Sequence, residues 1–152
     1  MNFEIPQPLT QDHEALHEKL HAATAAGGAI AEAANALVAE MHPHFVREEE
    51  IAMPPLALLG PLARGEYTLE MDAVLEMTDA LDAELPRMLE EHERIRAAVD
   101  RLAEAARKAG RPDVVEFCDE LGVHARTEEE VLYPAAQLVG RMVRQHVGAR
   151  AA

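Results

Sequence analysis

The sequence predicts an all-α protein: an antiparallel four-helix bundle followed by a short fifth helix at the C-terminal end. Composition points there first. Ala, Glu, Leu and Arg are abundant while Phe, Trp and Tyr make up 3% of the 152 residues, so good helix formers are plentiful and the residues that strands favour are scarce. Periodicity agrees, because four segments place apolar side chains at alternating steps of three and four, which on a helix form one buried stripe. At this length folding buries roughly 68–70% of the chain's surface, enough for one real core.

The first helix, about Thr10 to Ala26, carries His13, Leu16, Leu20 and Ala23 in its stripe, with Leu9 just ahead, and Gly27-Gly28 ends it. The second, about Ala29 to Ala52, reads Ala34, Leu37, Met41, His44, Glu48 and Ile51; Pro43 inside it is expected to bend or break it. Pro54-Pro55 to Gly65 form a longer connection with a short turn expected at Leu56 to Leu59. The third helix, about Leu69 to Ala109, carries Leu81, Leu85, Met88, His92, Ile95, Val99 and Leu102, with Pro86 as a second expected kink. Gly110 and Pro112 separate it from the fourth, about Pro112 to Leu132, whose stripe reads Val114, Phe117, Leu121, His124, Glu128 and Val131. A fifth helix from Pro134 to Val147 puts Leu138, Met142 and Val143 on one side, ready to dock on the bundle or on a second copy. We expect one domain over residues 1–152, the bundle spanning about 9–134.

Charge and cysteine content narrow the function. Lys and Arg number 14 against 28 Asp and Glu, a formal net charge of −14, and such a surface repels nucleic-acid phosphates and anionic lipid heads. The single cysteine, Cys118, cannot form an internal disulfide, and no run of 18 apolar residues offers a membrane span. A cytoplasmic setting, with neither nucleic acid nor membrane as partner, is expected.

The two halves of the chain repeat each other. His44-x-x-x-Glu48-Glu49-Glu50 returns 80 residues later as His124-x-x-x-Glu128-Glu129-Glu130, and Asp12-His13-Glu14 returns 79 residues later as Glu91-His92-Glu93. Residues four apart share a helix face, so His44 with Glu48 and His124 with Glu128 form two nitrogen–oxygen pairs, each at stripe positions otherwise held by apolar residues. His13 and His92 take equivalent positions on the other two helices. Burying such groups unpartnered costs several kcal/mol, and a bound metal is the simplest partner. Nitrogen-rich sites completed by carboxylates suit iron, manganese, zinc or copper rather than calcium or magnesium. Six ligands exceed the need of one tetrahedral zinc; two metals bridged by Glu48 and Glu128 would each receive two His and one oxygen from each Glu.

With these residues the chain resembles the hemerythrin-like family, the HHE cation-binding domain. The resemblance rests on Asp12-His13-Glu14, His44-x-x-x-Glu48-Glu49, Glu91-His92-Glu93 and His124-x-x-x-Glu128-Glu129 with Tyr133-Pro134, and spans about residues 9–134. It implies two iron ions with an oxo or hydroxo bridge, ligated by His13, His44, Glu48, His92, His124 and Glu128. Members bind dioxygen, sense oxygen or iron, respond to nitric oxide, or decompose peroxide. Oxygen-carrying members use a fifth His four residues beyond the third-helix His, where this chain has Arg96. On the pseudo-equivalent first helix His17 stands four beyond His13 and is a candidate fifth His ligand. Without it the metals are more open, which favours redox turnover over reversible oxygen storage.

The expected function is binding of dioxygen, peroxide or nitric oxide for oxygen or redox sensing and handling. The alternatives are a di-iron enzyme consuming such a ligand and an iron-responsive interaction module. The remaining residues read more plainly. His21 and His146 are expected to be solvated or partner-facing, His42 a surface group or a support to a ligand, and Glu49, Glu50, Glu129 and Glu130 a solvated face, with Glu49 or Glu129 taking a metal position as the lesser alternative. Cys118 and the methionines read as packing. Tyr133 either caps the core or reaches the metal bridge, and Asp12 and Glu91 are placed to hydrogen-bond ligating imidazoles. Glu14-x-x-His17 and Glu18-x-x-His21 mimic the motif of ferritin-like proteins, but both fall on one helix where that fold needs two.

Overall fold

The computed structural model describes residues 3–152 and is predominantly helical, with no strand among the described residues. Four long helices form the bundle: α1 (Gln7–Thr24), α2 (Gly28–Ile51), α4 (Val74–Lys108) and α5 (Pro112–Thr127). A short α3 (Leu59–Ala63) lies in the connection between α2 and α4, and α6 (Tyr133–Ala151) ends the chain. No helix among the described residues is long and apolar enough to cross a membrane.

Short turns between α1 and α2 and between α4 and α5 force those pairs to run antiparallel. The second turn is closed by two reversed bonds, Arg111 N–H to the Ala106 carbonyl at 2.9 Å and Gly110 N–H to that of Arg107 at 3.2 Å. That pattern requires a left-handed residue, which Gly110 supplies at φ 67°.

The stripes read from sequence are the buried ones on α1, α2 and most of α4, but the prolines behave differently from expectation. Neither Pro43 nor Pro86 breaks its helix. Both lie on the solvent side, as do Ala39 and Asp82 four residues earlier, so water can take the carbonyl that the missing N–H leaves free.

The larger correction concerns the end of the fourth helix. α5 does not stop before a separate fifth helix. It widens into a π-turn over Glu128–Leu132 and continues directly as α6. Tyr133 N–H closes the wide turn on the Glu128 carbonyl, and the repeat copies this feature, since Met53 N–H reaches the Glu48 carbonyl at 2.9 Å. Pro54 and Pro134 follow at once in the two halves; lacking an N–H, and clashing with the carbonyl four residues back, each disfavours ordinary helix across the turn before it. The consequence is a change of face. Five residues of α-helix would turn Tyr133 about 140° away from Glu128; the wider turn brings it back inward, so Tyr133 is buried and Val131, expected in the stripe, is 55% exposed.

Apolar packing lies on both sides of a polar layer. Towards the Gly27 and Gly110 turns, Leu16, Leu37, Phe45, Leu102 and Phe117 lead one core; beyond the layer, Met53, Leu81, Met88 and Tyr133 lead another. α6 docks on its own bundle, with Val139 and Val143 against Met71 and Val74. It meets α4 tightly at Gly140, where an added Cβ would sit 2.6 Å from the Cβ of Thr78. Gly140→Ala should therefore push α6 off α4, destabilising the fold by about 2 kcal/mol. Thermal unfolding checks this; an unchanged midpoint would contradict the packing.

Candidate metal centre

The polar layer is the cluster of His13, His44, Glu48, His92, His124 and Glu128, contributed by all four bundle helices. Five of the six are no more than 3% exposed, and the His124 side chain is 9% exposed. They divide into two donor groups. In the first, His44 Nε2 lies 3.1 Å from Glu48 Oε1 and His92 Nε2 lies 3.1 Å from Glu128 Oε2. In the second, His13 Nε2 lies 3.7 Å from Glu48 Oε2 and 3.6 Å from Glu128 Oε1, with His124 Nε2 in close contact with that same oxygen. Each carboxylate thus turns one oxygen to each group.

The imidazoles are held from behind. Every Nδ1 faces a carboxylate: His13 to Glu49 at 3.0 Å, His44 to Glu91 at 2.6 Å, His92 to Glu129 at 2.7 Å and His124 to Asp12 at 2.6 Å. These four bonds fix ring orientation and, with Nδ1 carrying the donated proton, leave each Nε2 lone pair pointing inward. Asp12 and Glu91 fulfil the expectation for them, each reaching across to the histidine of another helix. Glu49 and Glu129 do not form a merely solvated face; the residue after each clustered Glu supports an imidazole. Arg96, standing where oxygen carriers place a histidine, donates to Glu129 at 2.6 Å and so backs His92 indirectly.

Tyr133 completes the first group. Its hydroxyl contacts Glu48 Oε1 closely and lies 3.2 Å from Glu128 Oε2 and 3.2 Å from His92 Nε2. The repeat places Met53 at the corresponding position, in the same apolar cluster as Tyr133, so only one of the two repeats supplies a hydroxyl to the polar cluster.

His17 is not brought in. It is exposed on α1 and meets the edge of Phe45, whose ring centroid is 5.2 Å away. Phe45 in turn stacks on His13 with centroids 4.1 Å apart. The four-residue step is right, but the aromatic ring fills the space through which the imidazole would have to reach.

Electrostatics reflect crowded, desolvated charge. Burial pulls the His44 and His124 pKa values down, but the facing carboxylates outweigh it and raise both to about 9. Glu48 is pushed up to about 7 by burial and by Glu128 beside it. Glu128 is also buried, yet the imidazoles of His124, His13 and His92 hold it well below the usual carboxylate range. Burial, then Glu48 and Glu128, push the Tyr133 phenol up, which keeps it protonated. Cys118 is raised to about 11 by burial, fitting an inert packing thiol.

Whether the cluster suits a cation is tested by its unpaired atoms. Among the described residues, the buried side-chain polar atoms without a hydrogen-bond partner are His13 Nε2, Glu48 Oε2, His124 Nε2 and Glu128 Oε1. Three of them belong to the second group and the fourth, Glu48 Oε2, faces it at 3.7 Å from His13 Nε2; they come from α1, α2, α5 and the π-turn that ends α5. Buried polar atoms normally find partners, and a cation would serve all four at once. In the first group, His44 Nε2 and His92 Nε2 face each other at 2.8 Å, an arrangement that needs a proton or a cation between two lone pairs.

Comparison with known families agrees with this geometry. The family model for the hemerythrin HHE cation-binding domain matches residues 5–115 and again 83–152. The chain belongs to the hemerythrin HHE family. The two overlapping matches follow the internal repeat, the first beginning ahead of His13 and the second ahead of His92. No curated protein and no solved structure matches the chain significantly. For this HHE chain, cation binding rests on family membership together with the clustered His and Glu residues.

Proposed function

We propose that this HHE chain is a non-haem di-iron protein that binds dioxygen or a related small ligand, peroxide or nitric oxide, for oxygen or redox sensing or handling in the cytoplasm. The observation that carries the reading is the set of four orphaned buried atoms beside a second, complementary donor group. His44 and His92 would hold one ion, His13 and His124 the other, with Glu48 and Glu128 serving both. Bound there, two irons would supply reversible one- or two-electron exchange with a small ligand.

The chain's own residues shape what the ligand meets. The carboxylates behind each Nδ1 keep the rings from turning. His124 is the most exposed imidazole of the set and borders a groove of about 650 Å³ lined by Leu9, Val123 and Leu132 together with Asp12, Glu116, Asp119 and Glu120, an approach that suits a small uncharged molecule better than an anion. With His17 held outside by Phe45, coordination positions stay open to exogenous ligand.

A second reading, enzymatic turnover of peroxide or nitric oxide, is favoured by Tyr133. Its protonated hydroxyl stands within hydrogen-bond reach of both clustered carboxylates, where it can deliver a proton to ligand bound at the first group. Tyr133→Phe should keep about two metal ions per chain but slow peroxide consumption by about 10²-fold, the scale of losing a positioned proton donor. Spectra with azide, nitric oxide and peroxide, followed by steady-state assays, test both readings. A chain that binds ligand and returns it unchanged is a carrier or sensor; equal peroxide turnover in Tyr133→Phe would remove the tyrosine's role.

A further inference from the structure

The groove between α1 and α2 has a counterpart between α4 and α5, generated by the internal repeat. Residue for residue, His17, His21 and His42 in the first correspond to Arg96, Asp100 and Gly122 in the second, at the same offsets of 79 and 80 that relate the buried clusters. The fold therefore builds this groove twice and lines only one of them with imidazoles. The walls behind are alike, Met41 in one and Leu121 in the other, so packing does not explain the histidines.

We propose that the α1–α2 groove is a surface site for a late first-row transition-metal dication, held by His17, His21 and His42. His17 and His21 stand four apart on one helical face, the spacing that lets two imidazoles share one zinc in metalloprotease helices. His42 adds a third nitrogen from the neighbouring helix. Three neutral imidazoles without a carboxylate suit zinc, copper or nickel over calcium or magnesium. At about 140 Å³ the groove is smaller than the roughly 300 Å³ at which pockets for organic ligands begin, and the chain's −14 net charge raises the local concentration of dications. The three rings are exposed and line one groove; their nitrogens are not gathered as those of the buried cluster are, so binding an ion would have to draw the side chains together.

The site is independent of what the buried cluster holds, and its test keeps the two apart. Zn²⁺ is added to the purified protein until the ring resonances of the buried histidines no longer change, and the titration is then continued. The ring signals of His17, His21 and His42 should shift together at one further equivalent while His146 stays unmoved. His21→Asn and His42→Asn, both exposed and outside the buried cluster, should each weaken this step by roughly tenfold or more, as losing a contact to a bound metal does. Unmoved rings, a shift confined to one of the three, or equal affinity in the variants would overturn the proposal.

Discussion

Replacing Glu128 with Ala should lower the metal content of the purified protein from about two ions per chain to less than one, the largest loss expected from any single substitution. The reason is geometric. Glu128 Oε2 faces His92 and Tyr133, while its Oε1 faces His13 and His124, so one side chain serves both donor groups. Removing it takes an oxygen from each and leaves three buried imidazoles without their shared anion, a loss on the scale of about 3–5 kcal/mol for breaking a buried pair. His124→Ala makes the contrast. That ring belongs to the second group alone, and the variant should retain about one ion, at His44 and His92. Elemental analysis of both variants decides the matter. A Glu128→Ala protein with the full wild-type complement would contradict the bridging role.

The second large effect is an opposite response to pH in the metal-free and loaded protein. His44 and His124 lie at about 9 in the fold against an ordinary value of 6.5. A group raised on folding contributes stability that is complete below its unfolded value and lost as pH climbs through its folded one. Metal-free protein should therefore lose stability between about pH 6.5 and 9. Glu48, raised from 4.5 to about 7, acts in the same direction at lower pH, its contribution fading between about pH 4.5 and 7. Glu128 is lowered instead; its contribution disappears only in acid and does not oppose the trend. The total is of order a few kcal/mol, since each tenfold change in proton affinity is worth about 1.4 kcal/mol and these groups share partners. Bound metal replaces those protons, so its stabilisation grows as pH rises. Thermal unfolding at pH 6, 7.5 and 9, with and without metal, should show midpoints that diverge. A metal-free midpoint that rises towards pH 9 would refute the charge assignment.

The sequence made the bundle and the cluster legible because both depend on local spacing. A polar residue at a stripe position is conspicuous, and two halves repeating at offsets of 79 and 80 placed His13, His44, Glu48, His92, His124 and Glu128 on one level of the core. What spacing could not show was how neighbouring helices divide the space between them. His17 has the right step from His13, yet Phe45 occupies the path, and the packing of a ring from another helix leaves no mark in the periodicity of α1. Glu49 and Glu129 look solvated because their own helices point them sideways; their imidazole partners lie on α1 and α4.

The π-turn is a different kind of omission. Its backbone bond from Tyr133 to Glu128 shifts every later side chain by a fraction of a turn, so extending the stripe at steps of three and four selects Val131 where the fold buries Tyr133. A signal for it exists in the chain: Pro54 and Pro134, one after each wide turn, sit where ordinary helix is disfavoured. The prolines inside α2 and α4 teach the converse. Pro43 and Pro86 face solvent, and hydration of one carbonyl lets each helix run on.

The di-iron reading meets its sharpest test in iron analysis combined with Mössbauer spectroscopy on protein produced in iron-rich medium. A carboxylate-bridged pair should give about two irons per chain, magnetically coupled, with a spectrum that changes on adding azide. Zinc in place of iron, a single isolated ion, or a protein that takes up no metal would contradict it.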